Sequence, residues 1–151
     1  MRLTGLVSKT LFGLFVYAFV IVSTPFAGPD FKSIDTVQLH SMVMDNAYRL
    51  EAGREKQFTI IDGRTKEEYN KAHIFSAISI PERDFDKFMT LLPKDKGVQM
   101  VVYCNDNKFE TSTKWACKAE AYGYTNIIIY SEGFSAWRAQ HMPTAPLDGG
   151  H

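Results

Sequence analysis

The chain of 151 residues has no surplus of charge of either sign: 17 basic residues balance 17 acidic ones. A protein that binds a nucleic-acid backbone or an anionic bilayer through its overall field needs a basic excess, so no nucleic-acid partner is expected. Cysteine is nearly absent. Cys104 and Cys117 cannot build the disulfide framework that holds small secreted domains together, and they form no CxxC pair for dithiol redox chemistry. The fold must be held by an apolar core. Internal repeats and low-complexity tracts are missing as well, and no arginine occurs between Cys104 and Arg138.

What is present begins with a targeting segment over residues 1–27. Arg2 and Lys9 supply a positive n-region, and Leu11 to Val22 is an uncharged h-region. Cleavage after Ala27 would leave Pro25 at the minus-three position, where a small residue is the norm. Two expectations therefore stand. A cleaved signal peptide is favoured because the run is shorter than the roughly 20 residues that span a bilayer; the other is an uncleaved anchor over residues 10–26, the one route to a membrane. In both, the positive end stays inside and the domain is exported to the periplasm or another extracytoplasmic space. No cysteine follows the h-region directly to take a lipid. The remaining length, about 120 residues, is usual for one domain. It is placed at residues 28–145 with a flexible tail at 146–151, and the chain reads as loose from Pro143 onward.

Helices and strands alternate through that domain. Asp35 caps a helix with apolar positions Val37, Leu39, Met42 and Val43, and Phe58 to Ile61 is a strand. Thr65 to Glu68 is a capping box opening a short helix, and Ala77 to Ile80 is a strand stopped by Pro81. Asp84 to Leu92 reads as a helix with Phe85, Phe88, Met89 and Leu92 on one face. The run Val98 to Tyr103 is a strand, Ser112 to Tyr122 a helix closed by Gly123, Ile127 to Tyr130 a buried strand, and Phe134 to Gln140 a last helix. The alternation predicts an α/β fold with a central parallel sheet and helices on both faces.

In such sheets ligands bind beyond the carboxyl ends of the strands, and Cys104 ends one of them. A polar loop from Asn105 to Glu110 follows, with Thr111 and Ser112 opening the helix. Unpaired backbone N–H groups and the positive end of the helix dipole favour an anion there, so a thiolate that persists at neutral pH is expected.

The segments Ile60-Ile61-Asp62-Gly63-Arg64-Thr65-Lys66-Glu67-Glu68-Tyr69, Ala72-His73-Ile74 with Ala77-Ile78-Ser79-Ile80-Pro81, Val101-Val102-Tyr103-Cys104, Gly123-Tyr124-Thr125-Asn126-Ile127 and Glu132-Gly133-Phe134-Ser135-Ala136-Trp137 resemble, in order and spacing, the rhodanese (sulfurtransferase) homology domain. The resemblance runs from about Ile34 to Pro143. It implies a three-layer α/β domain and a cysteine, here Cys104, that takes sulfane sulfur as a persulfide. It implies no metal and no organic cofactor. The implied partners are a small sulfur donor (thiosulfate, polysulfide or persulfide) and a thiol or protein acceptor.

The loop departs from the family's commonest pattern. Counted back from Gly123, Ser112 takes the usual serine's place and Thr111 stands where arginine is usual; the loop is two residues longer and holds no glycine. A wider cradle is expected. The binding loop comprises Asn105, Asp106, Asn107, Lys108, Phe109, Glu110, Thr111 and Ser112. Asp106 and Glu110 oppose an anionic donor, and Lys108 reads as the only cation able to pair with it. Phosphatase chemistry, which needs a loop arginine, is poorly supported. Asp62 and Arg64 match family positions that support the site, as an ion pair or turn, while Cys117 and His73 read as packing residues. The leading function is a sulfurtransferase or sulfur carrier. A catalytically silent binding module and a thiol redox protein are the alternatives.

Overall fold

The computed structural model describes residues 30–105 and 109–146. The expected targeting segment, Asp106 to Lys108 and the last five residues lie outside these. Among the described residues no helix is long and apolar enough to cross a membrane.

Strands β1 (Lys32–Ile34), β2 (Phe58–Asp62), β4 (Ile78–Ser79), β5 (Gln99–Tyr103) and β6 (Ile127–Tyr130) form one parallel sheet in the order β1-β6-β5-β2-β4. Successive side chains on a strand point to opposite faces, so apolar neighbours feed two cores. Ile60, Val101 and Ile128 join one core with Leu39 and Val43 of α1 (Thr36–Glu51) and with Phe134 and Trp137 of α5 (Gly133–Ala139). Ile61, Val102 and Ile129 join the other with Phe85 of α3 (Phe85–Phe88) and with Trp115, Ala116 and Ala119 of α4 (Phe109–Ala121). Helices thus cover both faces, as the alternation predicts.

The expected helix signals hold at both capping boxes. Asp35 accepts from the Gln38 amide at 2.8 Å, and Thr65 accepts from the Glu68 amide at the start of α2 (Lys66–Lys71). Val37 departs from expectation: it is 69% exposed, because Thr36, Leu39, Val43 and Asn46 form the inward face of α1. The expected helix over Asp84 to Leu92 is broken. A 3-10 turn at Glu82–Asp84, the single α turn of α3 and a second 3-10 turn at Met89–Leu91 replace it. Phe88, at φ −110° and ψ 2°, leaves the α-helical region, and the bend still lets Phe85 and Leu92 enter one core.

The segment from Pro143 is not loose at its start. Thr144–Ala145 (β7) pair antiparallel with His73–Ile74 (β3), and Trp137 Nε1 donates to the Pro143 carbonyl at 2.9 Å. Neither two-residue strand has a run long enough to show a period in the sequence.

Candidate active site

The register of β2 on β5 sets the position of Cys104. Asp62 stands opposite Tyr103, so the two strands finish level and the next residues, Gly63 and Cys104, begin the site side by side. The Gly63 amide continues the ladder to the Tyr103 carbonyl at 2.9 Å. Chain leaving Cys104 is then tied to α5: the amides of Phe134 and Ser135 donate to the carbonyls of Cys104 and Asn105 at 2.8 and 2.9 Å. Asn105 Nδ2 also donates to Glu68 Oε1 at 2.9 Å, joining the loop's first residue to α2.

Helix α4 starts at Phe109, ahead of the expected opening at Thr111 and Ser112. The first turn of the helix holds Glu110, Thr111 and Ser112, so part of the expected loop length is taken into α4. Glu110 suits that turn twice over. Its carboxylate lies at the positive end of the helix dipole, and it pairs with Lys114 one turn on at 2.7 Å. Among the expected loop residues, the structure brings Asn105, Thr111 and Ser112 to the site with Cys104. Asp106, Asn107 and Lys108 lie outside the described residues.

The surroundings of the sulfur correct the expected acidity. Cys104 is only 5% exposed, and burial pushes its thiol up to about 11. The hydroxyl of Ser112 donates to it and works the other way, the charges of Asp62 and Glu82 raise it further, and Arg64 lowers it. Desolvation wins. Burial therefore favours the thiol over the thiolate, against the expectation of an anion at neutral pH.

Asp62 and Arg64 form a buried pair. Arg64 Nη2 lies 2.7 Å from Asp62 Oδ2 and donates to the Ala72 carbonyl at 2.6 Å, while its guanidinium lies 3.8 Å from the Phe134 ring centroid. Tyr103 O–H donates to Asp62 Oδ2 at 2.6 Å, and the Ile74 amide donates to the tyrosine oxygen at 3.0 Å. These contacts join the ends of β2 and β5 to the end of α2, to β3 and, through the Phe134 ring, to α5. Burial raises the Tyr103 phenol, and the Asp62 charge adds to that, so its O–H remains the donor.

An open cleft of about 610 Å³ leads to Cys104. Its walls come from the start of α2, the turn after β4 and the start of α4, and they carry four cations, Arg64, Lys66, Arg83 and Lys114, beside four carboxylates, Glu67, Glu68, Glu82 and Asp84. Lys108 is therefore not the only cation able to meet an anionic ligand. Sequence reasoning missed Arg83 and Glu82 because they follow Pro81, where the strand signal ends. Cys117, on α4, is free and half-buried, and lines a separate shallow groove with Glu82 and Lys118. His73 stacks on Tyr69 with centroids 3.8 Å apart and meets the Tyr69 carbonyl through Nδ1, a packing role. No cluster of three or more His, Cys, Asp or Glu side chains suited to a metal occurs among the described residues.

Comparison with known proteins agrees with this architecture. A curated relative from Buchnera aphidicola, described as an uncharacterized protein, is 24% identical over 115 residues, 76% of either chain. The solution structure of the rhodanese-like domain of an Anabaena sp. protein matches with a TM-score of 0.58 at 26% identity, over 81% of this chain and 88% of that one. A rhodanese-related protein from Thermoplasma volcanium gives 0.56 at 19% identity, over 76% of this chain and 98% of its own, a likeness of fold alone. Residues 46–140 match the rhodanese-like domain family, and the chain belongs to that family.

Proposed function

We propose that the protein is an exported sulfurtransferase or sulfane-sulfur carrier that moves sulfur through a persulfide on Cys104 to a thiophilic acceptor. The observation that supports this most is the placement of Cys104: it ends the central strand β5, at the floor of a solvent-open cleft, with the Ser112 hydroxyl on its sulfur. In the step itself Cys104 loses its proton and Sγ attacks the outer sulfur of the donor. The new S–S bond forms as the donor's S–S or S–sulfonate bond breaks, and the electron pair and a proton leave with the donor's thiol or sulfite. A thiol acceptor reverses this sequence.

Burial keeps the Cys104 thiol almost wholly protonated at neutral pH. The resting site is therefore slow toward oxidants, which suits a lone cysteine in an exported domain. Export rests on Arg2, Lys9 and the apolar run Leu11 to Val22. The same burial favours a second reading, a binding module of the rhodanese-like fold whose cysteine is inert.

Intact-mass measurement of the reduced protein after exposure to thiosulfate, polysulfide or glutathione persulfide separates the two. A gain of one sulfur, reversed by dithiothreitol and absent from Cys104→Ser, is the expected result. A folded protein that gains no sulfur from any donor, yet whose Cys104 still alkylates, would establish the binding module instead.

A further inference from the structure

We propose that Arg83 selects the sulfur donor of this cleft, by holding the carboxylate of an amino-acid or peptide persulfide. The inference rests on the persulfide reading above. Its first ground is where the committed charges lie. Beside the sulfur, Arg64 is engaged by Asp62, the Ala72 carbonyl and the Phe134 ring, so among the described residues no uncommitted guanidinium meets a small dianion such as thiosulfate, whose charge lies on the sulfur under attack and on oxygens two bonds away.

The second ground is the wall of the cleft. Lys114 is paired with Glu110, and Lys66 lies 4.5 Å over the Tyr69 ring. Arg83 is exposed, lines the same cleft, and is engaged by no carboxylate or ring among the described residues. A guanidinium left open in a cleft offers a two-pronged site matched to a carboxylate. Glu67, on another wall, supplies an acceptor for the ammonium of the same molecule. Volume is the third ground: about 610 Å³ is within the range of pockets that enclose peptide-sized ligands and far exceeds what thiosulfate fills.

The test uses the reduced full chain, following sulfur gain on Cys104 by intact mass with glutathione persulfide, the persulfide of glutathione diethyl ester, and thiosulfate. Wild type is expected to load from the free acid about fivefold faster than from the ester at subsaturating donor, with thiosulfate slower than both. In Arg83→Ala and Arg83→Gln the acid-to-ester ratio falls to about one through a raised KM, and Arg83→Lys keeps part of the preference. An unchanged ratio in Arg83→Ala, or thiosulfate outrunning glutathione persulfide in wild type, overturns the assignment of Arg83 while leaving the persulfide reading in place. No sulfur gain from any donor overturns both.

Discussion

Gly63 and Cys104 stand so close that a Cβ added at position 63 would lie 3.0 Å from the Cys104 sulfur. The same atom would meet the Tyr103 carbonyl oxygen at 3.3 Å and Trp115 Cδ1 at 3.7 Å. Backbone conformation is not the constraint here; space is. Gly63→Ala must displace either the sulfur or the end of β5, and overpacking of this kind costs about 1 to 3 kcal/mol. The expected result in urea unfolding is a lowered midpoint with unchanged slope, and in the sulfur-loading assay a loss larger than that of any wall substitution. Wild-type stability and loading in Gly63→Ala would show that the two strand ends are not packed as described.

The acidity of Cys104 gives a pH signature. Its folded thiol, near 11, lies above the ordinary range of about 8.5, so the neutral form is the one the fold favours. The unfolded chain therefore releases this proton first as pH rises. The stability it contributes is complete below about pH 8.5 and is lost on approach to 11, a loss on the order of 3 kcal/mol relative to Cys104→Ser over that window. Alkylation of Cys104 by iodoacetamide is expected to rise about tenfold per pH unit from pH 7 to pH 10. A plateau below pH 9 would mean that the sulfur is solvated after all.

Two neighbours tune that signature in opposite directions. Glu82 raises the thiol, and its carboxylate is also paired with Lys118 at 2.8 Å, so Glu82→Gln removes a negative charge and frees a positive one. Both changes favour the thiolate. Ser112 donates to the sulfur and lowers the thiol, so Ser112→Ala acts the other way. At pH 8 alkylation of Cys104 should quicken about threefold in the first variant and slow about threefold in the second. Equal rates in all three proteins would remove both residues from the electrostatics of the site.

The supporting pair is a matter of stability. Asp62→Asn leaves the Arg64 guanidinium buried with its charge uncompensated, and breaking a buried pair in this way costs about 3 to 5 kcal/mol. Arg64→Lys cannot reproduce the two-pronged contact, the Ala72 bond and the Phe134 stack together. Both variants should unfold at clearly lower urea concentration. A double-mutant cycle giving coupling below about 0.5 kcal/mol would contradict the geometry.

How much of this was legible in the sequence follows from what each part depends on. The four-residue run Ile127 to Tyr130 is apolar throughout because it is covered on both faces, and the capping boxes at Asp35 and Thr65 are local hydrogen-bond patterns, so all three announce themselves. β1 does not. Lys32-Ser33-Ile34 has one buried side chain and is held from outside, by pairing with β6 and by the contacts of Thr36 with Glu132 and Tyr130. Cys104 could be found because it ends an apolar strand, yet its acidity could not, because desolvation depends on how deep the fold places the sulfur. Arg83 shows the same limit. Its side chain joins the cleft only because the chain turns after Pro81, with the Glu82 amide donating to the Gly63 carbonyl at 3.1 Å.

Glu68 offers the sharpest test of how the loop is anchored. One carboxylate oxygen closes the capping box on the Thr65 amide and hydroxyl, and the other accepts from Asn105 Nδ2. A single side chain thus couples the start of α2 to the residue after the reactive cysteine. Glu68→Gln keeps one acceptor oxygen for the capping box and turns its amide N–H toward Asn105, whose own side-chain amide can reverse to accept it; Glu68→Ala keeps neither. Amide exchange should quicken around Thr65–Glu68 and at Asn105 together in Glu68→Ala, and stay near wild type in Glu68→Gln. Exchange that changes around α2 alone would show that Asn105 is held by its carbonyl bond to the Ser135 amide, with Glu68 serving only its own helix.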